Sequence, residues 1–374
     1  MKKLQSDVSS ASSTPGSDAW YTYSGIDEDV VLSSQVKLSR NLANFPFMPC
    51  LMENDSVRIQ SIVFDAFNHF ENAEEFHAVE VSNLDENGKR ILEERGVIET
   101  SPFYKLDSHA GIILRSDGRV SCAVNFLDHV RITSFTSGLD FDKAVLLAKK
   151  LDDSLQEHIQ FAASYEFGYL TTSVLESGSG MRLFMKVHLP CLSVLGRILE
   201  VSEMLAKKGI SFSSCYGSGS HGSALGYYYQ IFSNNSSSGT EFDQIASIAS
   251  AARKLVEMER AAREECKKNQ ITTIKNIMYR SVALARYSMF IKTREAVDLI
   301  GGVKLGKDME LLTGIDDTTL NALLYRIQQG HLLYVLKNGK FNFEKDIASN
   351  DALKEERLRS LIIQECFEDI ILSI

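Results

Sequence analysis

Four stretches of this 374-residue chain collect side chains that could do chemistry. Along Met181–His188 the residues alternate: Arg182, Phe184, Lys186 and His188 fall on one side of an extended chain, and Leu183, Met185 and Val187 on the other. A row of cationic and titratable groups suits an anion site, and the same row suits a solvated sheet face. Asp128, His129 and Arg131 place an acid, an imidazole and a guanidinium within four residues. Gly217, Gly219 and Gly222, set among serines and His221, make a flexible loop after a strand. Such a loop can cradle a phosphate with its backbone N–H groups, and an ordinary connection has the same composition. Finally, residues 251–294 hold eleven Lys and Arg against four Glu, a surplus of +7. That reads as a solvated helix face or as a docking face for an acidic partner.

Metal chemistry is not expected. The six cysteines (Cys50, Cys122, Cys191, Cys215, Cys266, Cys366) form no CxxC pair and have no histidine at metal spacing. They read as reduced thiols, mostly buried as small apolar residues. His69, His77, His109, His158 and His331 lie singly and read as surface or capped residues.

These groups need a scaffold, and the patterning predicts one. Strand-like segments cover residues 30–32, 110–114, 120–126, 130–135, 169–174, 181–188 and 226–232. Helices are predicted over 142–163, 189–208 (closed by Gly209), 242–297 with a break at 268–271, 318–336 and 351–372. Residues 1–19 are Ser-rich and read as a disordered tail, residues 20–245 as an α+β domain, and residues 246–374 as an all-helical one. Pro190 is the last of five prolines, so nothing of that kind interrupts the helical part.

Charge follows the same division. Residues 1–239 carry 20 basic and 29 acidic side chains, and residues 240–374 carry 20 and 20, which together give −9. A pI near 5.5 argues against a bulk nucleic-acid binder. No apolar run approaches the ~18 residues of a membrane span, and Lys2 and Lys3 are not followed by the apolar core of a secretory signal. The expectation is a cytoplasmic protein with no nucleic-acid or membrane partner.

Residues 29–42, Asp-Val-Val-Leu-Ser-Ser-Gln-Val-Lys-Leu-Ser-Arg-Asn-Leu, resemble the phosphate-binding strand of the ATP:guanidino phosphotransferases. That superfamily includes creatine and arginine kinases and the bacterial protein arginine kinases. Four further stretches agree in order and spacing: residues 125–132, 167–171, 178–183 running into 188–190, and 216–217 with 224–226. The helical part, at 279–281 and 303–306, resembles the C-terminal domain of the bacterial protein arginine kinases. The resemblance spans residues 20–374. It implies a phosphagen-kinase-like α+β fold, a mainly antiparallel sheet flanked by helices, followed by the all-helical domain.

It also implies a reaction: in-line transfer of a γ-phosphoryl group from ATP, with Mg²⁺, to a guanidinium nitrogen. Catalysis is then mostly positioning and charge stabilisation. Arginine forks hold phosphate oxygens, and two carboxylates orient the guanidinium and take its proton. The nucleotide-contacting positions that carry over are Ser33, Ser34, Gln35, Val36, Lys37, Arg40, Arg131, Arg182, Leu183, Phe184, Met185 and Lys186.

Departures from the family pattern are as informative. Its Ser-Ser-Arg-x-Arg reads Ser33-Ser34-Gln35-Val36-Lys37, so one fork is a neutral amide and the other a point charge. Phe103 stands for a histidine and Ser213 for an arginine. Leu127 and Ser218 hold the slots of the two catalytic glutamates, and Ser173 that of the cysteine beside the substrate. Glu176 is the candidate replacement carboxylate, and Asp128, His129 and Arg131 read either as a structural cluster or as nucleotide contacts.

The expectation is a protein-arginine-kinase homologue that is inactive or weakly active and works by binding. The alternatives are an active kinase using relocated carboxylates such as Glu176 or Asp128, or an adaptor docking through the basic 251–294 helices. By family analogy the partners are a zinc-binding activator protein, a Clp-type unfoldase and a second copy of the chain. The family's phosphoarginine-recognition pair falls at Lys354 and Glu355.

Overall fold

The computed structural model describes residues 19–98, 107–217, 224–237 and 239–373, so of the expected N-terminal tail only Ala19 is described. An eight-stranded sheet runs through the first part of the chain. Its strands are β1 (Val31–Arg40), β2 (Phe76–Glu80), β3 (Gly111–Arg115), β4 (Val120–Val124), β5 (Val130–Ser137), β8 (Met181–His188), β9 (Ile210–Ser214) and β10 (Tyr228–Ser233). Strands β6 (Ala163–Ser164) and β7 (Gly168–Tyr169) form a small separate hairpin. The order in the large sheet is β2-β3-β4-β5-β1-β8-β10-β9, with every pairing antiparallel.

All ten residues of β1 are buried, because both faces of the sheet are covered there. On one face Val36 and Leu38 join Ile132, Leu183 and Met185 in a core backed by α3 (Phe141–Gln156). On the other face β1 presents Gln35, Lys37 and Ser39. The first core also takes α1 (Glu53–Asn68), α4 (Pro190–Val194), α5 (Ile198–Ala206) and the apolar side of α6 (Glu241–Asn269), through Ile248, Ala251, Ala252 and Leu255. Helix α2 (Glu86–Glu94) lies beyond β2 and starts at Asp85, whose carboxylate accepts the Gly88 N–H at 2.7 Å.

A second core holds the remaining helices together: α7 (Ile271–Tyr287), α8 (Thr293–Asp308), α9 (Asp317–Arg326), α10 (Gln329–Asn338) and α11 (Asp351–Cys366). Ile300, Val303, Leu320, Leu323, Leu358, Ile362 and Phe367 fill it, and Leu32 and Tyr228 of the sheet extend into it.

The helix expected over 189–208 is two helices. Gly196 takes φ +71° and the chain turns back, with the Arg197 N–H bonding the Leu192 carbonyl. Gly209 closes α5 as expected, at φ +68°. The break expected at 268–271 falls at Gln270, and a second one at 288–292 separates α7 from α8. The strand expected at 169–174 stops at Tyr169, and a 3₁₀ turn (Val174–Glu176) takes over. The last expected helix ends at Cys366, after which β12 (Ile371–Leu372) pairs with β11 (Leu312–Thr313). Strands β2 and β9 and helices α1 and α2 were not evident from patterning.

Buried charges mark the seam between the two cores. Lys304, fully buried on α8, donates to the Glu28 carbonyl (3.1 Å) and ion-pairs Asp317. Asp308 lies 3.4 Å from Arg263 and 3.5 Å from Lys304. Burial pushes the Asp308 carboxyl up, but these cations hold it down at about 2. Arg260 and Arg263 are engaged by Asp29, which explains part of the basic surplus of 251–294. Lys254, Lys267 and Arg286 also have partners in the fold; of the remaining six cations of that stretch Lys275 is half-buried, and Arg253, Lys268, Arg280, Lys292 and Arg294 are exposed.

Glu259 on α6 caps α4, accepting the N–H groups of Cys191 (3.0 Å) and Leu192 (3.1 Å). Burial pushes its carboxyl up to about 7 against the opposing pull of Arg263. The folded protein therefore holds a proton that the unfolded chain releases near 4.5, and the associated stability drains away as pH rises from ~4.5 to ~7. Scanning calorimetry should show the wild-type Tm losing ground against Glu259→Gln between pH 5 and pH 8. A constant difference would contradict the assignment.

Candidate anion site on the sheet

Register brings three cations to one face. Lys37 on β1 lies opposite Arg182 on β8, and Ser39, two residues further on β1, lies opposite Arg131 on β5. The Lys37 ammonium sits 4.5 Å from the Phe184 ring centroid. The Arg182 guanidinium lies 5.1 Å from Phe184 and 5.3 Å from Phe232. Burial holds the Lys37 ammonium well below the usual lysine range, and the neighbouring Arg131 and Arg182 push it further down.

A carboxylate closes the cluster. Glu176, at the end of the Val174–Glu176 turn, has a side chain only 9% exposed. Its Oε2 accepts from Ser39 Oγ at 2.8 Å and lies 3.4 Å from Arg131 Nη2, while Oε1 lies 3.3 Å from Arg182 Nη1. One carboxylate thus joins the two guanidinium groups, with a hydroxyl from the strand between them.

Asp128 and His129 serve the turn before β5. Asn125 enters it at φ +58°, and its amide donates to the carbonyls of Ser56 and His109. Asp128 Oδ1 accepts from Asn41 Nδ2 (2.9 Å) and the Thr172 N–H (2.7 Å), and Oδ2 lies 3.6 Å from Arg131. His129 Nδ1 accepts from the Leu42 N–H at 3.0 Å, so Nε2 carries the proton and donates to the Pro46 carbonyl at 3.0 Å. Burial lowers its pKa. This is a hydrogen-bonded structural cluster, and Arg131 shares in it. Leu127 is half-buried on the same turn.

Other carried-over positions are dispersed. Ser34 Oγ donates to the Gly138 carbonyl, and Val36, Leu183 and Met185 belong to the core on the opposite face. Ser33 and Gln35 are buried on β1. Lys186 is closed over by α9: its ammonium lies 5.5 Å from the Tyr325 ring, in a pocket shared with Trp20, Tyr21, Cys215 and Tyr216. Burial there lowers the lysine pKa, yet the surrounding hydroxyls and thiol lift it above its ordinary value.

Arg40 points the other way from Lys37. Its Nε and Nη2 donate to Asp152 at 3.0 and 2.8 Å, Nη1 donates to the Ser39 and Ser179 carbonyls, and Tyr169 stacks 3.6 Å away. It is a buried strut rather than part of the phosphate clamp, because strand alternation turns it onto the α3 face.

Ser173 is half-buried, and its carbonyl accepts from Thr171 Oγ1 at 2.7 Å. Ser218, Gly219, His221, Gly222 and Phe103 lie outside the described residues. Lys354 and Glu355 do not form a joint site. Neighbours on a helix diverge by about 100°, so Lys354 pairs with Asp351 (3.0 Å) on the surface while buried Glu355 takes Gln329 (2.9 Å) and Arg359. Ser39, Asn41 and Phe232 were missed from sequence, although Ser39 stands at strand period from Lys37. Among the described residues no group of three or more His, Cys, Asp or Glu could hold a metal ion.

The fold is one shared with known guanidino kinases. Lombricine kinase superposes with a TM-score of 0.58 at 15% identity, over 68% of this chain and 73% of that one. The substrate-free duplicated taurocyamine kinase from Schistosoma mansoni gives 0.57 at 18% identity, over 76% of this chain and 42% of that one. Residues 58–262 match the ATP:guanido phosphotransferase C-terminal catalytic domain, and residues 271–367 match the protein-arginine kinase McsB C-terminal domain. The chain belongs to the ATP:guanidino phosphotransferases, among the protein-arginine kinases. The protein-arginine kinase of Geobacillus sp. (strain WCH70) is 30% identical over 344 residues, 91% of this chain and 94% of that one. That of Syntrophomonas wolfei is 27% identical over 333 residues, 88% and 91% of the two chains.

Arg40→Ala should cost ~3–5 kcal/mol in urea unfolding, because it strands Asp152 without its partner. Lys354→Ala should stay within ~0.5 kcal/mol. Equal effects from the two would undo the distinction drawn between them.

Proposed function

We propose that this chain is a protein-arginine-kinase homologue whose phosphotransfer is weak or lost and which acts chiefly by binding. One observation carries the reading. The guanidinium groups of Arg131 and Arg182, which the family chemistry would commit to phosphate, are both joined to the Glu176 carboxylate. Leu127, meanwhile, stands at the position that resembles the family's catalytic glutamate. Losing a general base costs about 10²–10⁴-fold, and losing an arginine that stabilises the transferring phosphoryl group can cost ~10³ more. Such losses do not simply multiply, since groups acting as a unit are non-additive.

Lys37, Arg131 and Arg182 are the residues that would hold phosphate groups, and Mg²⁺ would arrive with the nucleotide. The fit is partial, because only two of the three cations are forks and both already face a carboxylate. The family analogy extends the proposal to a zinc-binding activator protein, a Clp-type unfoldase and a second copy of the chain as partners.

A second reading has a specific observation behind it. Glu176 is the buried carboxylate at the centre of the cluster, where a relocated acceptor for a substrate guanidinium would have to be. An active kinase built this way loses phosphotransfer in Glu176→Gln while the fold survives.

Isothermal titration with Mg-ATP and phosphoarginine detection on an arginine-rich protein separate the two. The expected result is weak nucleotide binding and little or no phosphoarginine. Robust turnover that is lost in Arg131→Ala would sink the binding reading, and its loss in Glu176→Gln as well would favour the second reading over it.

A further inference from the structure

The cradle already holds an anion, and the protein supplies it. Two oxygens of one carboxylate meet two guanidinium groups at 3.3 and 3.4 Å, an arrangement that two oxygens of a phosphoryl group could adopt equally well. Asp128 adds a second negative charge 3.6 Å from Arg131. Two guanidinium groups therefore face two carboxylates. An entering phosphate would have to share the forks with Glu176 at like-charge contact distance.

The turn that carries Glu176 is held on one side only. Val174 and Leu175 are 84% and 64% exposed, so no core packs over them. Backbone bonds tie down its middle and the chain just after it: Ser236 N–H to the Leu175 carbonyl (2.9 Å), and Tyr169 N–H to the carbonyl of Gly178, which itself sits at φ +115°. The contacts that hold the Glu176 carboxylate inside are Ser39, Arg131 and Arg182.

We infer that Glu176 is the specificity-determining residue of the cradle: a built-in competitor that excludes phosphate-bearing ligands until it is displaced from Arg131 and Arg182. This rests on the reading of Lys37, Arg131 and Arg182 as the anion site. With Glu176 docked, the cradle admits a ligand only at the expense of two ion pairs. With its charge removed, the same donors are open to a di- or polyphosphate.

Glu176→Gln keeps the size of the side chain and removes its charge. Titration calorimetry with inorganic pyrophosphate and with Mg-ATP should show ~10–100-fold tighter binding than in the unsubstituted protein, the span expected when one charge is removed within ~4 Å of the ligand's groups. Pyrophosphate should also raise the Tm of the variant more than that of the parent. Ser39→Ala, which deletes only the hydroxyl bond to Glu176, should give a smaller gain in the same direction and guards against misfolding of the first variant. Equal or weaker binding in both variants overturns the inference. If Glu176→Gln gains affinity but Arg131→Ala and Arg182→Ala in that background leave the gain intact, the anion lies elsewhere and the cradle reading itself falls.

Discussion

Burial of β1 on both faces is the constraint from which the rest of the structure follows. A strand in that position ordinarily reads as a continuous apolar run, yet this one carries Lys37, Arg40 and four other polar residues, Ser33, Ser34, Gln35 and Ser39. Each must find a partner inside the protein, since an unpaired buried charge is far more costly than a paired one. Alternation sends Arg40 to Asp152 on α3 and leaves Lys37 and Ser39 facing the cluster of Arg131, Arg182 and Glu176. The candidate site and the main structural strut are thus adjacent products of one strand, set on its two opposite faces.

The same logic operates at the seam with the helical part. Lys186 continues the cationic row of β8 but ends under Tyr325, and His188 ends beside Asp308, 3.9 Å away, with burial pushing its pKa down to about 4. The row therefore changes character along its length. Its first member, Arg182, is partly exposed near the Glu176 turn, while Lys186 lies against the Tyr325 ring and His188 is fully buried. A cationic row read from alternation alone cannot distinguish these fates, because they depend on what a distant segment lays over the sheet.

Much of the fold was legible because its signals are local. Alternation located β8 to the residue, and Gly209 and the expected break at 268–271 marked real ends of helices. What escaped were elements whose amphipathic pattern is broken by polar burial, such as α1 with Ser56 and Gln60 on its inner side, and breaks made by glycine geometry, as at Gly196. Within the site, the residue types were legible but not their commitments. Arg40 and Arg182 look alike in sequence, and only tertiary pairing assigns one to a strut and the other to a cradle. Likewise Glu355 falls by resemblance beside Lys354 in a recognition pair and is instead locked to Arg359 and Gln329.

Trp20, the sole tryptophan, lies on the border between the two cores. It stacks on Phe135 at 5.2 Å and meets Tyr325 of α9 edge-on at 5.7 Å, with Tyr21 stacked on that same tyrosine at 4.4 Å. The indole therefore has one neighbour from the sheet and one from the helices. Its emission is a built-in optical gauge of whether the helical part stays seated on the sheet, readable without any label, and it sits away from the Glu176 turn.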